Sequence, residues 1–213
     1  MKCDKKHMLL YAVTDRAWTG RQSLYEQVEA ALKGGATCVQ LREKELDEAA
    51  FLKEAVEIAK LCKSYNVPFF INDNVDIAVA CHADGIHIGQ DDMALADARR
   101  KVGGEMMIGV SVHSVKEALD AERNGADCLG VGAMFSTSTK ADAKVLSWET
   151  LKEICSAVHI PVVAIGGIDE KNIMQLSGSG VDGVALVSAI FGADNIENAC
   201  RKLRGLSEQM VKG

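Results

Sequence analysis

One pattern recurs along this chain and limits its folding options more than any other feature. A short apolar run is followed by a turn rich in Gly, Asp, Ser or Thr, and then by a stretch with helical spacing. The apolar runs are Met8–Thr14, Thr37–Arg42, Pro68–Asn72, Gly85–Gly89, Met107–Ser111, Asp127–Gly132, Pro161–Gly166 and Gly183–Ser188. Strands that alternate with helices predict a parallel sheet covered by helices. Eight such units predict a closed barrel rather than an open doubly wound sheet. No GxGxxG follows the first run, which argues against a dinucleotide-binding fold. The expected fold is α/β, a single (β/α)8 TIM barrel spanning residues 1–213, near the small end for that architecture.

The clearest helix is expected over Asp47 to Lys63. Phe51, Leu52, Ala55, Ile58, Ala59 and Cys62 form one apolar stripe there, with Asp47 as the N-cap. Several strands follow Gly-Ala-Asp or Gly-Val-Asp, as at Gly125-Ala126-Asp127 and Gly180-Val181-Asp182, where glycine suits a helix C′ position.

Composition narrows the setting. A formal net charge of −6 argues against nucleic acid as a partner. Seven cysteines at wide spacings, with no CxxC, argue against a disulfide framework or a zinc ribbon and for a reducing, cytoplasmic setting. The run from Met8 to Val13 is too short for a signal segment or a membrane span.

In such barrels the chemistry sits at the C-terminal ends of the strands. The second run ends Gln40-Leu41-Arg42-Glu43-Lys44. Alternation puts Gln40, Arg42 and Lys44 on one face, looking into the barrel mouth, and Val39, Leu41 and Glu43 on the other. Two cations and an amide in the mouth either meet an anion or are solvated or paired with neighbouring acids. The third and fourth runs end Asn72-Asp73 and Gln90-Asp91-Asp92. Neighbouring strands lie about 4.8 Å apart, so Asp73 and Asp92 can converge on one Mg²⁺; the competing expectation is helix capping, favoured for Asp91. His82 and His87 lie near Cys81, but their spacing fits no ligand motif, and core or surface positions are expected. Ser111 and His113 share a face of the fifth strand without the geometry of a nucleophile pair, so Ser111 is expected to act as a hydrogen-bond donor.

The hydroxyl-rich segment Phe135–Asp142 is either a surface turn or a phosphate-contacting lid, and its place on the active rim favours the lid. Gly166-Gly167 and Val187-Ser188 close the seventh and eighth strands, where barrels of this kind often bind phosphate through backbone N–H groups. The residues therefore separate into two anion sites facing one cavity, which suits two phosphorylated substrates, one of them losing pyrophosphate.

With these residues in place the chain resembles the thiamine-phosphate synthase family. The resemblance runs from Tyr11-Ala12-Val13-Thr14-Asp15 to Val187-Ser188. It is carried by Gln40-Leu41-Arg42-Glu43-Lys44, Ile71-Asn72-Asp73, Gly85–Asp92, Gly109-Val110-Ser111, Thr137-Ser138-Thr139-Lys140 and Gly166-Gly167-Ile168, in that order. It implies transfer of hydroxymethylpyrimidine from its diphosphate to hydroxyethylthiazole phosphate, with Mg²⁺ on Asp73 and Asp92. The stretch Gln40, Leu41, Arg42, Glu43 and Lys44, with Asn72, Ser111 and Lys140, would hold the pyrimidine diphosphate. Thr137, Ser138, Thr139, Gly167, Val187 and Ser188 would hold the thiazole phosphate. Lys140, Ser111 and Arg42 are the expected catalytic residues. One departure is Ser136, where the family usually has proline. A thiazole tautomerase using His113, and a non-catalytic sensor of a thiamine precursor, are the competing readings; Asp73, Asp92 and Lys140 together favour the synthase.

Overall fold

A computed structural model describes residues 3–90, 92–137 and 144–213. Among the described residues there are eight strands: β1 (Leu10–Val13), β2 (Cys38–Leu41), β3 (Phe69–Asn72), β4 (Gly85–Ile88), β5 (Met107–Val112), β6 (Cys128–Val131), β7 (Val162–Ile165) and β8 (Gly183–Leu186). All pair in parallel, in sequence order, and β8 returns to β1, so the sheet closes on itself with no free edge. The helices are α1 (Lys5–Met8), α2 (Leu24–Lys33), α3 (Glu48–Ser64), α4 (Val75–Ala80), α5 (Leu95–Val102), α6 (Val115–Arg123), α7 (Trp148–Ala157), α8 (Ser188–Phe191) and α9 (Ile196–Lys212).

The expected unit recurs with two departures. Met8 ends the short helix α1 rather than opening the first strand, and β7 is followed by a single 3-10 turn, Ile173–Leu176, instead of an α-helix. Gly178 and Gly180, both at positive φ, follow that turn closely, and glycine there weakens any longer helix.

Period-two alternation sorts the strand residues into two cores. Val39, Leu41, Ile71, Ile86, Ile108, Leu129 and Val184 face outward and meet the helices. Tyr11, Cys38, Phe70, Met107, Cys128, Val163 and Ala185 face inward and fill the barrel. The inner layer interlocks large with small residues: a Cβ on Gly85 would lie 2.3 Å from the Phe70 ring.

The helix starts are written locally. Asp47 accepts from Ala50 N, Asn74 from Ile77 N, and Ser114 from Glu117 N, while Ser23 and Glu26 form a capping box. The residue before each even-numbered strand has a second task. Thr37, Asp84, Asp127 and Asp182 accept from the backbone N–H of Leu10, Phe69, Ile108 and Val162, at 2.8, 2.9, 2.8 and 2.9 Å. Their own N–H groups donate back to the carbonyls of the same four residues. Each preceding odd strand is thus pinned at its N-terminal end. This polar stitching secures the floor of the barrel and leaves the opposite rim to its loops.

Candidate active site

The rim at the C-terminal ends of β1 to β5 collects most of the charged residues singled out in the sequence. Gln40 points inward and is buried, and its Nε2 donates to the Tyr11 hydroxyl at 3.0 Å. Arg42 is fastened twice to the exit of β1. Its backbone N–H donates to Thr14 Oγ1, and its guanidinium meets Asp15 Oδ2, each at 3.0 Å. Lys44 Nζ lies 2.5 Å from Asp73 Oδ2.

Asp73 has φ +62, a left-handed conformation uncommon outside glycine, and its N–H donates to the His87 carbonyl at 2.8 Å. Burial, followed by the neighbouring Asp92 carboxyl, raises its pKa above the ordinary carboxylate value, while Lys44 opposes the shift. Asp92 Oδ2 in turn accepts from Gly89 N–H at 2.7 Å. Two carboxylates crowded together are a poor arrangement for two anions and a good one for a hard divalent cation. Among the described residues no group of three or more His, Cys, Asp or Glu side chains comes together to hold a metal. A pair of carboxylates suits Mg²⁺, which takes one or two and completes its shell with phosphate oxygens and water.

Ser111 bonds with His87, whose Nε2 lies 3.0 Å from Ser111 Oγ. His87 occupies an inward position on β4, and burial pushes its pKa down to about 4. The ring is therefore neutral near pH 7. Its Nδ1 has no hydrogen-bond partner among the described residues. The ring fits because the next two strands, β5 and β6, carry glycine where a larger residue would meet it. A Cβ on Gly109 would lie 2.4 Å from His87 Nδ1, and one on Gly130 would lie 3.2 Å from Cε1. Gln90 Nε2 donates to the Ser111 carbonyl at 2.7 Å. His113 sits farther out, 3.3 Å from Glu117, and His82 is exposed.

The other side of the rim is built from backbone. Gly166 and Gly167 both have positive φ, and Phe135 N–H donates to the Gly166 carbonyl at 2.9 Å. A Cβ on Gly167 would lie 2.4 Å from the Ser136 carbonyl oxygen, so the loops after β6 and β7 lie against each other there. Val187 is the N-cap of α8, which begins at Ser188. Asn72 ends β3 beside His87.

Within the stretch 40–44 the alternation read from the sequence holds. Gln40, Arg42 and Lys44 serve the mouth, whereas Leu41 is fully buried in the outer core and Glu43 is held by internal partners. Those two side chains are not brought to the cavity. Ser138, Thr139, Lys140 and Asp91 lie outside the described residues. Sequence reasoning gave no site role to Tyr11, Asp15 or His87; it expected a core or surface position for His87, and the ring is buried. Asp15 follows the end of β1 in the same relation to the rim as the residues chosen on other strands, and that position was the available signal; Tyr11 lies deeper in the barrel, in register with Cys38.

The five most buried cysteines, Cys38, Cys62, Cys81, Cys128 and Cys200, are free thiols. Burial pushes Cys62 and Cys200 up to about 12, so they act as apolar filling. Among the described residues no helix is long and apolar enough to cross a membrane.

Residues 10–190 match the family model described as thiamine monophosphate synthase. The thiamine-phosphate synthase of Clostridium acetobutylicum is 50% identical over 192 residues, 90% of this chain and 91% of that protein. That of Pyrococcus abyssi is 42% identical over 207 residues, covering 97% and 98%. Among solved structures, thiamine phosphate pyrophosphorylase from Pyrococcus furiosus superimposes with a TM-score of 0.90 at 39% identity, covering 97% of this chain and 98% of that one.

Proposed function

The chain belongs to the thiamine monophosphate synthase family and is a transferase, and on that premise we propose that it carries the hydroxymethylpyrimidine group from its diphosphate to hydroxyethylthiazole phosphate in a Mg²⁺-dependent reaction. In that reaction the methylene C–O bond of the diphosphate breaks and pyrophosphate leaves with the electron pair. The thiazole nitrogen then forms a C–N bond to the same carbon, giving thiamine phosphate. No proton must move for these bonds to exchange.

The observation that carries the reading is the grouping of Lys44, Asp73 and Asp92. Asp73 and Asp92 would hold the metal. When bound, Mg²⁺ would neutralise charge on the departing pyrophosphate. Arg42, Lys44 and Asn72 would bind the diphosphate oxygens, and Lys140 would add a cation where charge develops. Ser111 and Gln40 lie on the inward-facing side of their strands, where they would orient the aminopyrimidine. Neutral His87 supports Ser111 and Tyr11 supports Gln40 from below. Thr137, Ser138 and Thr139, with backbone at Gly167, Val187 and Ser188, would bind the thiazole phosphate, using the close backbone approach that glycine allows. Holding both reactants in line is worth up to roughly 7–11 kcal/mol of the barrel's rate enhancement. The buried free thiols suit a reducing, cytoplasmic location.

The test is pyrophosphate release by purified protein. Release that needs both substrates together supports the transfer. Release from the pyrimidine diphosphate alone at the same rate would make the protein a hydrolase and overturn the reading.

A further inference from the structure

Glu43 lies between two residues that serve the mouth, yet its own side chain turns away and is only 2% exposed. Both oxygens are fully engaged. Oε1 accepts from the backbone N–H groups of Lys44, Glu45 and Leu46 at 2.8, 2.6 and 3.1 Å. Oε2 meets Arg16 through Nε at 2.6 Å and Nη2 at 2.5 Å. Arg16 Nη2 also reaches Glu54 Oε2 on α3 at 2.6 Å.

A carboxylate in direct contact with a diphosphate would set one anion against another, and Glu43 has no oxygen left over. We infer that Glu43 is a positioning residue: it clamps the loop after β2 so that Arg42 and Lys44 are held toward the diphosphate site. The inference rests on the synthase reading and deepens it. Three consecutive residues at the exit of β1 grip the exit of β2, since Thr14 and Asp15 hold Arg42 and Arg16 holds Glu43. The three N–H groups gathered on Oε1 fix the backbone turn just beyond Arg42, including the N–H of Lys44 itself. Burial alone would raise the pKa of Glu43, but Arg16 and the N–H groups of Glu45 and Leu46 outweigh it and keep the carboxyl ionised near neutral pH. The clamp should therefore serve one substrate and leave the other alone, because the thiazole phosphate residues lie on loops after β6 to β8.

The test compares wild-type protein with Glu43→Gln and Arg16→Lys, each checked for folding by circular dichroism. Gln keeps an acceptor for the N–H groups but turns a charge-assisted partner away from Arg16. The expected result for Glu43→Gln is a KM for the pyrimidine diphosphate raised about tenfold, with the KM for the thiazole phosphate changed less than about twofold. Arg16→Lys, which keeps the charge, should lie between that variant and wild type. Equal rises in both KM values, or a fall in kcat with both KM values unchanged, would overturn the clamp, because general loss of folded protein gives one of those patterns. If wild-type protein does not turn over, the synthase reading fails and calorimetric titration with inorganic pyrophosphate in Mg²⁺ decides the clamp. Weaker pyrophosphate binding by Glu43→Gln upholds it, and equal binding overturns it.

Discussion

Lys44 Nζ and Asp73 Oδ2 meet at 2.5 Å across the ends of β2 and β3. In this state the lysine partly meets the demand for positive charge created by the crowding of Asp73 and Asp92. A metal and a diphosphate would divide the pair, with the carboxylates turning to the cation and the ammonium to the phosphates. Asp73→Ala should therefore abolish detectable turnover at millimolar Mg²⁺. Turnover at the wild-type rate in that variant would remove Asp73 from the metal site.

Lys140, which lies outside the described residues, is the further cation proposed for the departing pyrophosphate. Lys140→Ala should lower the rate of the chemical step about 100-fold or more, as loss of a charge-stabilising donor commonly does, with substrate binding affected much less. Single-turnover quench measurements at saturating substrate read this directly. A normal single-turnover rate with slow steady-state turnover would move Lys140 to product release.

His87 gives a stability signature that depends on pH. Its folded pKa of about 4 lies below the ordinary value of 6.5, so between those values the unfolded chain binds a proton that the folded protein refuses. Stability from this group is fully present above pH 6.5 and is lost as pH falls toward 4. The loss is on the order of 3 kcal/mol, at about 1.4 kcal/mol per pH unit. His87→Gln keeps a partner for Ser111 and cannot titrate. Urea unfolding at pH 5 and at pH 7.5 should show a smaller drop for the variant than for wild type. Equal drops would place the ring in a more solvated setting.

Gly109 and His87 share one space. Gly109→Ala would bring a Cβ to 2.4 Å from His87 Nδ1, and overpacking of this kind costs about 1–3 kcal/mol. A lowered melting temperature is expected. The wild-type value would mean that the imidazole can move aside at no cost.

The barrel was legible because its evidence is local. Period-two apolar runs, Asp47 before α3 and the turns after the helices all fall within a few residues of what they specify. The 3-10 turn after β7 was not legible: Ile173 and Leu176 have helical spacing, and Gly178 and Gly180, which weaken a longer helix, also suit an ordinary helix C′ position. Gly-Ala-Asp and Gly-Val-Asp were read for their glycine, whereas the aspartates at 127 and 182 pin the previous strand across 19 and 20 residues of chain. The site divides in the same way. Gln40, Arg42 and Lys44 followed from alternation on one strand. Arg16, held to Glu43 over 27 residues, and His87, housed by glycines on β5 and β6, depend on register between strands, which a single sequence does not write down.

The central claim is that this rim joins two phosphorylated heterocycles at a metal-dependent centre. The most direct test supplies purified protein with hydroxymethylpyrimidine diphosphate and hydroxyethylthiazole phosphate and quantifies thiamine phosphate and pyrophosphate together, with Mg²⁺ and after its removal by chelation. The account predicts both products in equal amounts with Mg²⁺ and neither without it. Folded, Mg²⁺-replete protein that forms no thiamine phosphate would contradict it.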